Sequence, residues 1–333
     1  MGAVKLKDIA DQLGLSVTTV SRALSGNGRV KKETCDKVMQ LAHESNYMVN
    51  SLARSLRLSD TRSIGIVVPD ISNNFFSNVI KGAQEVCHDR GYMLMVCNSD
   101  ENAHYEEEAL KTLLEKQVSG LIVASVGSCP KIFSRYSQGN LPVVYIDNVP
   151  EGAENYDLVS IDNFAAAAEF TRAVIQRGYR EIGMIAGPRK QSSGLMRYKG
   201  FVHALNDEGI KVVPEWILES EFKLESGYEN MKKILAGDCM PRAMLFANNK
   251  LAYGAVKAIM EAGLRIPEDM AVVSFDAFDH TGLVTPQIAS LNQPAEEIGK
   301  RACEMIVEKL TGINADQARH VFLEPFYTDG NSW

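Results

Sequence analysis

Two sets of side chains in this sequence carry recognition chemistry. Val17, Thr18, Ser21 and Arg22 fall on one side of a short amphipathic stretch whose other side is Val20, Ala23 and Leu24. An arginine donates bidentately to guanine, a threonine offers a hydroxyl and a methyl, and a valine makes apolar contact with the thymine methyl. That side therefore suits the floor of a major groove. Ser16, Thr19 and Ser21 are short donors suited to phosphate oxygens, which set register without reading sequence. The second set follows apolar runs spread along the rest of the chain: Asn73, Asn74 and Phe75, Ser125, Asp147, the stretch Arg189–Arg197, Phe222, Asn248, Asn249 and Asp276. Carboxylates and amides that exchange hydrogen bonds with vicinal hydroxyls, an arginine fork, and aromatic faces against C–H surfaces together suit a polyol.

The elements that must position the first set are two short helices and a tight turn. Ile9, Ala10, Leu13, Leu15, Val20 and Leu24 recur at helical spacing, interrupted at Gly14. Gly14 can take the left-handed conformation that ends one helix, and Ser16 can cap the next by accepting a backbone N–H. A third amphipathic helix over 32–46, with Val38, Leu41 and Ala42 inward, closes a small core. The run from Leu6 to Ser25, followed by Arg29-Val30, Glu33-Thr34, Asn46-Tyr47, Asn50 and Ala53-Arg54-Ser55-Leu56, closely resembles the amino-terminal module of the lactose-repressor (LacI/GalR) family. The resemblance continues over nearly the whole chain. It implies base contacts by Val17, Thr18, Arg22, Ala53 and Leu56, and phosphate contacts by Ser16, Thr19, Ser21, Arg29 and Thr34.

Between Asn50 and Arg57 a good N-cap precedes Leu52 and Leu56, spaced on one helical face. At about eight residues this segment is below the roughly 12–15 needed for a helix to stand alone in water. In the family it is a hinge helix that folds on operator DNA beside its dimer mate. The resemblance makes Leu56 an apolar wedge in the minor groove, flanked by Arg54 and Arg57 for phosphates.

From Ser63 onward, apolar runs alternate with amphipathic helical stretches, the pattern of parallel sheets covered by helices. Strands are expected at 64–68, 93–97, 120–124, 142–146, 182–186, 244–247 and 271–275. The body repeats itself. Ser63-Ile64-Gly65-Ile66 and Glu181-Ile182-Gly183-Met184 lie 118 positions apart, as do Gly91 and Gly209, and Pro142–Asp147 matches Ala271–Asp276 at an offset of 129. Two doubly wound lobes follow, and ligands of open parallel sheets bind beyond the carboxyl ends of the strands. The expected fold is thus an all-α helix-turn-helix head on an α/β body of two doubly wound lobes. The domains are expected at 1–49, a hinge and linker at 50–62, and an effector-binding and dimerisation body at 63–333.

The body is also similar to periplasmic sugar-binding proteins. The resemblance carries effector contacts onto Phe75, Asp147, Ser193, Arg197, Phe222, Asn248 and Asp276, to which strand-end position adds Ser125 and Gln191. Gln191 and Ser192 stand where the purine-binding member of the family has Arg-Asn, which argues against a nucleobase. Asn249 replaces a common Asp. Arg189 and Lys190 beside the cleft would suit an anionic sugar or serve as solvated loop charges.

Composition fits this division of labour. Of 333 residues, 45% are hydrophobic and 23% charged, those of a globular chain. Residues 1–62 hold ten Lys/Arg against six Asp/Glu, net +4, and the remainder 25 against 36, net −11. A small basic head on an acidic body is the distribution of a polyanion-binding module joined to something with another task. No membrane-spanning run or signal peptide is present, and six dispersed cysteines fit a reducing compartment, so the expected location is the cytoplasm.

No G-x-G-x-x-G, Walker loop, G-x-S-x-G or paired-histidine metal motif occurs, and no cofactor or metal is expected. The expected protein is a non-enzymatic, dimeric regulator of a carbohydrate-utilisation operon. It binds a pseudo-palindromic operator under the control of a small sugar or sugar derivative. No heptad tail follows to build a tetramer. The rivals are a catabolite-control regulator answering to a phosphorylated carrier protein, a sugar-binding transport receptor and a sugar-metabolising enzyme.

Overall fold

The computed structural model describes residues 4–25, 30–45, 47, 61–127, 141–277, 285–313 and 317–333. The chain divides between Thr61 and Arg62 into two compact units.

In the first unit, α1 (Leu6–Leu13), α2 (Val17–Ser25) and α3 (Lys32–Glu44) enclose Ile9, Ala10, Val20, Ala23, Val38 and Ala42. The Asp8 carboxylate accepts the Lys5 N–H at 2.8 Å, which satisfies one of the donors a helix start leaves open. Gly14, at φ +62°, ends α1 and lets the Leu15 N–H reach Ala10 O at 2.9 Å. Ser16 caps α2 as its position predicts, its Oγ accepting the Thr19 N–H at 3.1 Å. The third helix stops at Glu44, two residues short of its expected end.

The second unit holds two six-stranded sheets. Lobe 1 is built on β1 (Ser63–Val68), β2 (Met93–Asn98), β3 (Gly120–Val123), β4 (Val143–Ile146), β5 (Asp157–Ser160) and β11 (His320–Phe322), in the order β11-β5-β4-β3-β1-β2. Lobe 2 is built on β6 (Ile182–Ala186), β7 (Ile217–Glu219), β8 (Ala243–Phe246), β9 (Ala271–Phe275), β10 (Ala289–Asn292) and β12 (Phe326–Thr328), in the matching order β12-β10-β9-β8-β6-β7. The internal repeat read from the sequence is this shared order. It fails only at the last strand, since β11 runs parallel to β5 whereas β12 runs antiparallel to β10.

All seven expected strands are present, with ends shifted by at most a residue, and β5, β7, β10, β11 and β12 add to them. Around the sheets lie α4 (Asn74–Arg90), α5 (Ala103–Glu115), α6 (Asn163–Gln176), α7 (Ser192–Asp207), α8 (Leu224–Leu235), α9 (Asn249–Glu261) and α10 (Ala295–Leu310).

The chain crosses between lobes before α6, before α10 and between β11 and β12. Thus α10 leaves lobe 2 and buries Ile298, Ala302, Cys303, Met305 and Ile306 in the core of lobe 1. It lies against α4 at the closest approach that backbone permits. A Cβ on Gly82 would stand 2.0 Å from Glu296 O, and one on Gly299 1.9 Å from Val79 O.

Candidate functional site

The outward side of α2 is as the sequence predicts. Val17, Thr18 and Arg22 are exposed and Ser21 and Thr19 half-buried, while Val20 and Ala23 point into the core. Ser16 Oγ and Thr19 Oγ1 lie 2.8 Å apart, so one hydroxyl donates to the other and the pair keeps a single proton for a phosphate. Thr34 stands half-buried in the first turn of α3. Arg29, Ala53, Leu56 and the rest of the hinge lie outside the described residues.

In the second unit the strand ends of the two lobes face one another across a small cavity. Its lining holds eight of the nine expected effector residues: Phe75, Asp147, Gln191, Ser193, Arg197, Phe222, Asn248 and Asp276. Ser125 is the exception. Its Oγ donates to Glu106 at 2.9 Å, while the other Glu106 oxygen accepts the Val126 N–H at 2.6 Å. A buried glutamate on α5 thus holds the Ser125 hydroxyl, and Ser125 is not part of the lining. Arg189 also turns elsewhere, lying 3.5 Å from Glu219 with its guanidinium 4.2 Å above the Tyr198 ring.

Arg197 organises the cavity. It is buried, on α7, with Nε donating to Asn163 Oδ1 at 2.7 Å and one terminal nitrogen to Ala247 O at 2.6 Å, over the Phe275 ring. The other terminal nitrogen lies 3.8 Å from Asp147 Oδ1 and has no hydrogen-bond partner among the described residues. Ser193 Oγ is orphaned in the same way. Buried polar atoms without partners are costly, so these two, on residues that line one cavity, are donors a bound molecule could satisfy.

Asp147 and Asp276 are repeat-related. Each follows its strand at left-handed φ, +57° and +55°, which turns the carboxylate off the strand end into the cavity. Asp276 accepts the Gln293 backbone N–H and side-chain amide, both at 2.8 Å. Burial pushes the Asp147 carboxyl up to about 6, against the pull of Arg197 and with added repulsion from Asp276. Burial likewise raises Asp276, opposed by Arg197 and the Gln293 hydrogen bonds.

Glu101, Asn148 and Gln293 also line the cavity and were not read from the sequence. All three follow strand ends, at β2, β4 and β10, so the rule that found the others applies to them. Glu101 and Gln293 follow ends where no site residue was sought, and Asn148 stands next to one that was chosen. Burial raises the Glu101 carboxyl to about 7; the Gln191 amide pulls against this, and the charges of Asp147 and Asp70 push with it.

The chain's own side chains hold the lobes together. Asn73 and Asn249 exchange amide hydrogen bonds, and Lys250 Nζ reaches Ser72 Oγ at 3.0 Å and lies 3.4 Å from Asp70. On the other side Asn148 Oδ1 accepts the Ser193 N–H at 2.8 Å, so a lobe 1 side chain satisfies the first turn of a lobe 2 helix. Gln191 Nε2 donates to Glu101 at 2.9 Å, also across the cleft. Asn248 spends its carbonyl oxygen on capping α9 at Leu251 N, so its amide nitrogen is what it can offer a ligand. Closure leaves about 20 Å³ of space, room for a water, so a sugar ring enters only when the lobes part or lining side chains shift.

A helix-turn-helix with an exposed polar α2, and a two-lobed body closing on a polar cavity with orphaned donors, define a DNA-binding regulator of the effector-responsive class. Residues 61–325 match the periplasmic binding proteins and sugar binding domain of the LacI family, and residues 5–50 match bacterial regulatory proteins of the lacI family. The chain belongs to the LacI family and is a DNA-binding transcriptional repressor of that family, not an enzyme.

It is 32% identical over 322 residues to the HTH-type transcriptional repressor PurR of Pasteurella multocida (strain Pm70), covering 94% of each chain. Among solved structures, the lac repressor dimer bound to operator and the anti-inducer ONPF covers 99% of both chains at 22% identity and TM-score 0.86, a likeness of fold. A protein taken to be a ribose operon repressor from Burkholderia thailandensis is 27% identical over 80% of this chain and 98% of that one, at TM-score 0.73. No helix among the described residues is long and apolar enough to cross a membrane.

Proposed function

We propose that this repressor answers to a monosaccharide held between the two lobes and controls a carbohydrate-utilisation operon from the cytoplasm, as a homodimer on a pseudo-palindromic operator. The observation that carries the effector reading is the lining itself. Asp147 and Asp276 supply acceptors for hydroxyl pairs, Arg197 and Ser193 supply unspent donors, and Phe75, Phe76 and Phe222 supply apolar faces from both lobes. The likeness to the protein taken to be a ribose operon repressor supports the same class.

In the same reading Val17, Thr18, Arg22, Ala53 and Leu56 contact bases, and Ser16, Thr19, Ser21, Arg29 and Thr34 contact phosphates. The hinge transmits lobe closure to DNA by deciding whether two hinge segments pack together.

A purine is the second reading, since the curated relatives carry the name PurR at 32% identity. Gln191 and Ser192 in place of Arg-Asn, and carboxylates from both lobes facing the ligand, support the sugar instead. A thermal-shift and calorimetric panel of pentoses, hexoses, disaccharides and purine bases decides between them, with operator affinity measured for each hit. A monosaccharide that binds and changes operator affinity is expected. Binding of hypoxanthine or guanine alone would replace the sugar by a nucleobase.

A further inference from the structure

We infer that Glu101 is a specificity residue of the effector cavity, selecting uncharged sugars and rejecting those that carry a carboxylate. This deepens the monosaccharide reading and rests on it.

The argument begins with the charge of the lining. Its ionisable residues are Glu101, Asp147, Asp276 and Arg197, three carboxyls against one guanidinium. Arg197 and two aspartates already form a sufficient polyol set, with Asp276 tied down by Gln293 and Asp147 beside the guanidinium. Glu101 is surplus to that balance. It comes from the turn after β2, at φ +55°, and its carboxylate is held at the cleft by the Gln191 amide of the other lobe.

The groups that act on Glu101 are Asp147 and Asp70, both negative, and Lys223, whose Nζ lies 3.1 Å from Glu221 on the surface. Lys250, the other cation near this side, is spent on Asp70 and Ser72. Around Asp147 stand Arg197 and Asp276. An incoming anion therefore meets more negative than positive charge in a narrow cavity lined by buried side chains, where charge repulsion is poorly screened.

A hydroxyl meets acceptors instead. The Arg197 terminal nitrogen and Ser193 Oγ are donors that no side chain of the lining takes up. Sugar hydroxyls supply both acceptor and donor capacity, so a neutral ring satisfies the donors and the carboxylates together. Of Arg189 and Lys190, the cations whose sequence position suggested an anionic sugar, Arg189 is committed to Glu219, Lys190 is exposed, and neither is part of the lining.

The test compares matched pairs, D-glucose with D-glucuronate and D-galactose with D-galacturonate, by calorimetry on the full-length protein. The uronates stay ionised from about pH 6 to pH 8, so any change in discrimination across that range belongs to the protein. The ratio of acid to neutral Kd in a pair is expected to be about tenfold or more near pH 8 and several-fold smaller near pH 6, as the Glu101 carboxyl takes up its proton. E101Q is expected to show near pH 8 the reduced ratio that wild type shows near pH 6, with a flatter pH profile. Rejection by size alone would give a ratio unmoved by pH or by E101Q, and that result overturns the assignment. A uronate that binds wild type as well as its neutral partner near pH 8 also overturns it, and leaves the sugar reading standing. If no member of either pair binds while a purine base does, the sugar reading fails and this inference falls with it. If another monosaccharide from the wider panel binds instead, the same ratio is measured on that sugar and its acid.

Discussion

Asn73 and Asn249 exchange two hydrogen bonds across the cleft, each donating its side-chain amide to the other's oxygen at 3.2 and 3.0 Å. They stand at the amino ends of α4 and α9, one from each lobe, and Asn73 also caps α4 through Phe75 N. An Asp at 249 would have no N–H to return, so the reciprocal pair requires an amide at both positions. It gives the closed form a bond that does not depend on ligand.

Asn249→Ala therefore shifts the lobes toward opening. Two lost hydrogen bonds weaken closure by about 1–3 kcal/mol, and effector affinity falls with the closed fraction. Small-angle scattering of the ligand-free variant is expected to show a larger radius of gyration than wild type. A double-mutant cycle with Asn73→Ala is expected to give a coupling of about 1 kcal/mol in effector binding. Additive losses would show that the pair does not act as a latch.

Arg197 is the second point of leverage. Replacing it with Met leaves Asp147 and Asp276 buried without their cation, and removing one partner from a buried charge pair typically costs about 3–5 kcal/mol. The deficit has a defined pH dependence. Both carboxyls are already raised by burial, and without Arg197 they rise further, so protonation at lower pH relieves the deficit. Thermal melts of Arg197→Met are expected to lie well below wild type near pH 8 and to converge on it toward pH 5. Operator binding by the folded fraction should be intact and its response to effector lost.

The sheets and most of the cavity were legible in the sequence because strand ends are legible. Apolar runs such as Ile64–Val68 and Ile182–Ala186 mark buried parallel strands, and residues that follow such runs, Asp147 and Asp276 among them, line the cleft. Edge strands such as Ile217–Glu219 and His320–Phe322 are only three residues long and half-exposed, too short for a periodic signal, so they went unread. Gln293 follows Ala289–Asn292, whose mixed composition hides a fully buried strand. Ser125 stands outside the lining for a different reason. Its strand end is correct, but the side chain's direction is decided by Glu106, nineteen positions earlier, and no local pattern contains that contact.

The Glu101 carboxyl makes stability pH-dependent with a sign that can be worked out. Its folded value of about 7 lies above its ordinary 4.5, so between those limits the folded chain binds more protons than the unfolded one. Glu101 therefore reduces stability progressively as pH rises through that window. E101Q removes the penalty and keeps an oxygen for the Gln191 amide. The melting temperature of E101Q relative to wild type is expected to be unchanged near pH 4.5, to rise through the window and to level off above pH 7. A difference that is flat with pH would mean that the carboxyl is solvated in the folded protein.

Gly82 ties helix packing to the site. It faces the first turn of α10, where a Cβ would lie 2.0 Å from Glu296 O and 3.1 Å from Lys300 N, both backbone atoms that cannot swing aside. Gly82→Ala must push α10 away from α4. Overpacking of this kind typically costs about 1–3 kcal/mol. The displacement has a particular target, because Gln293 lies immediately before α10 and donates both its hydrogen bonds to Asp276. Moving α10 loosens the group that orients one of the two principal acceptors, so the variant is expected to lose effector affinity several-fold beyond its loss of stability. Gly209→Ala is the control, since Gly209 also pays a backbone penalty at φ +64° but has nothing within 4 Å of a new Cβ and lies outside the cavity lining. Calorimetric titration of both variants, at a temperature where each is fully folded, separates the two effects. An unchanged effector Kd in Gly82→Ala would show that α10 positions the fold but not the site.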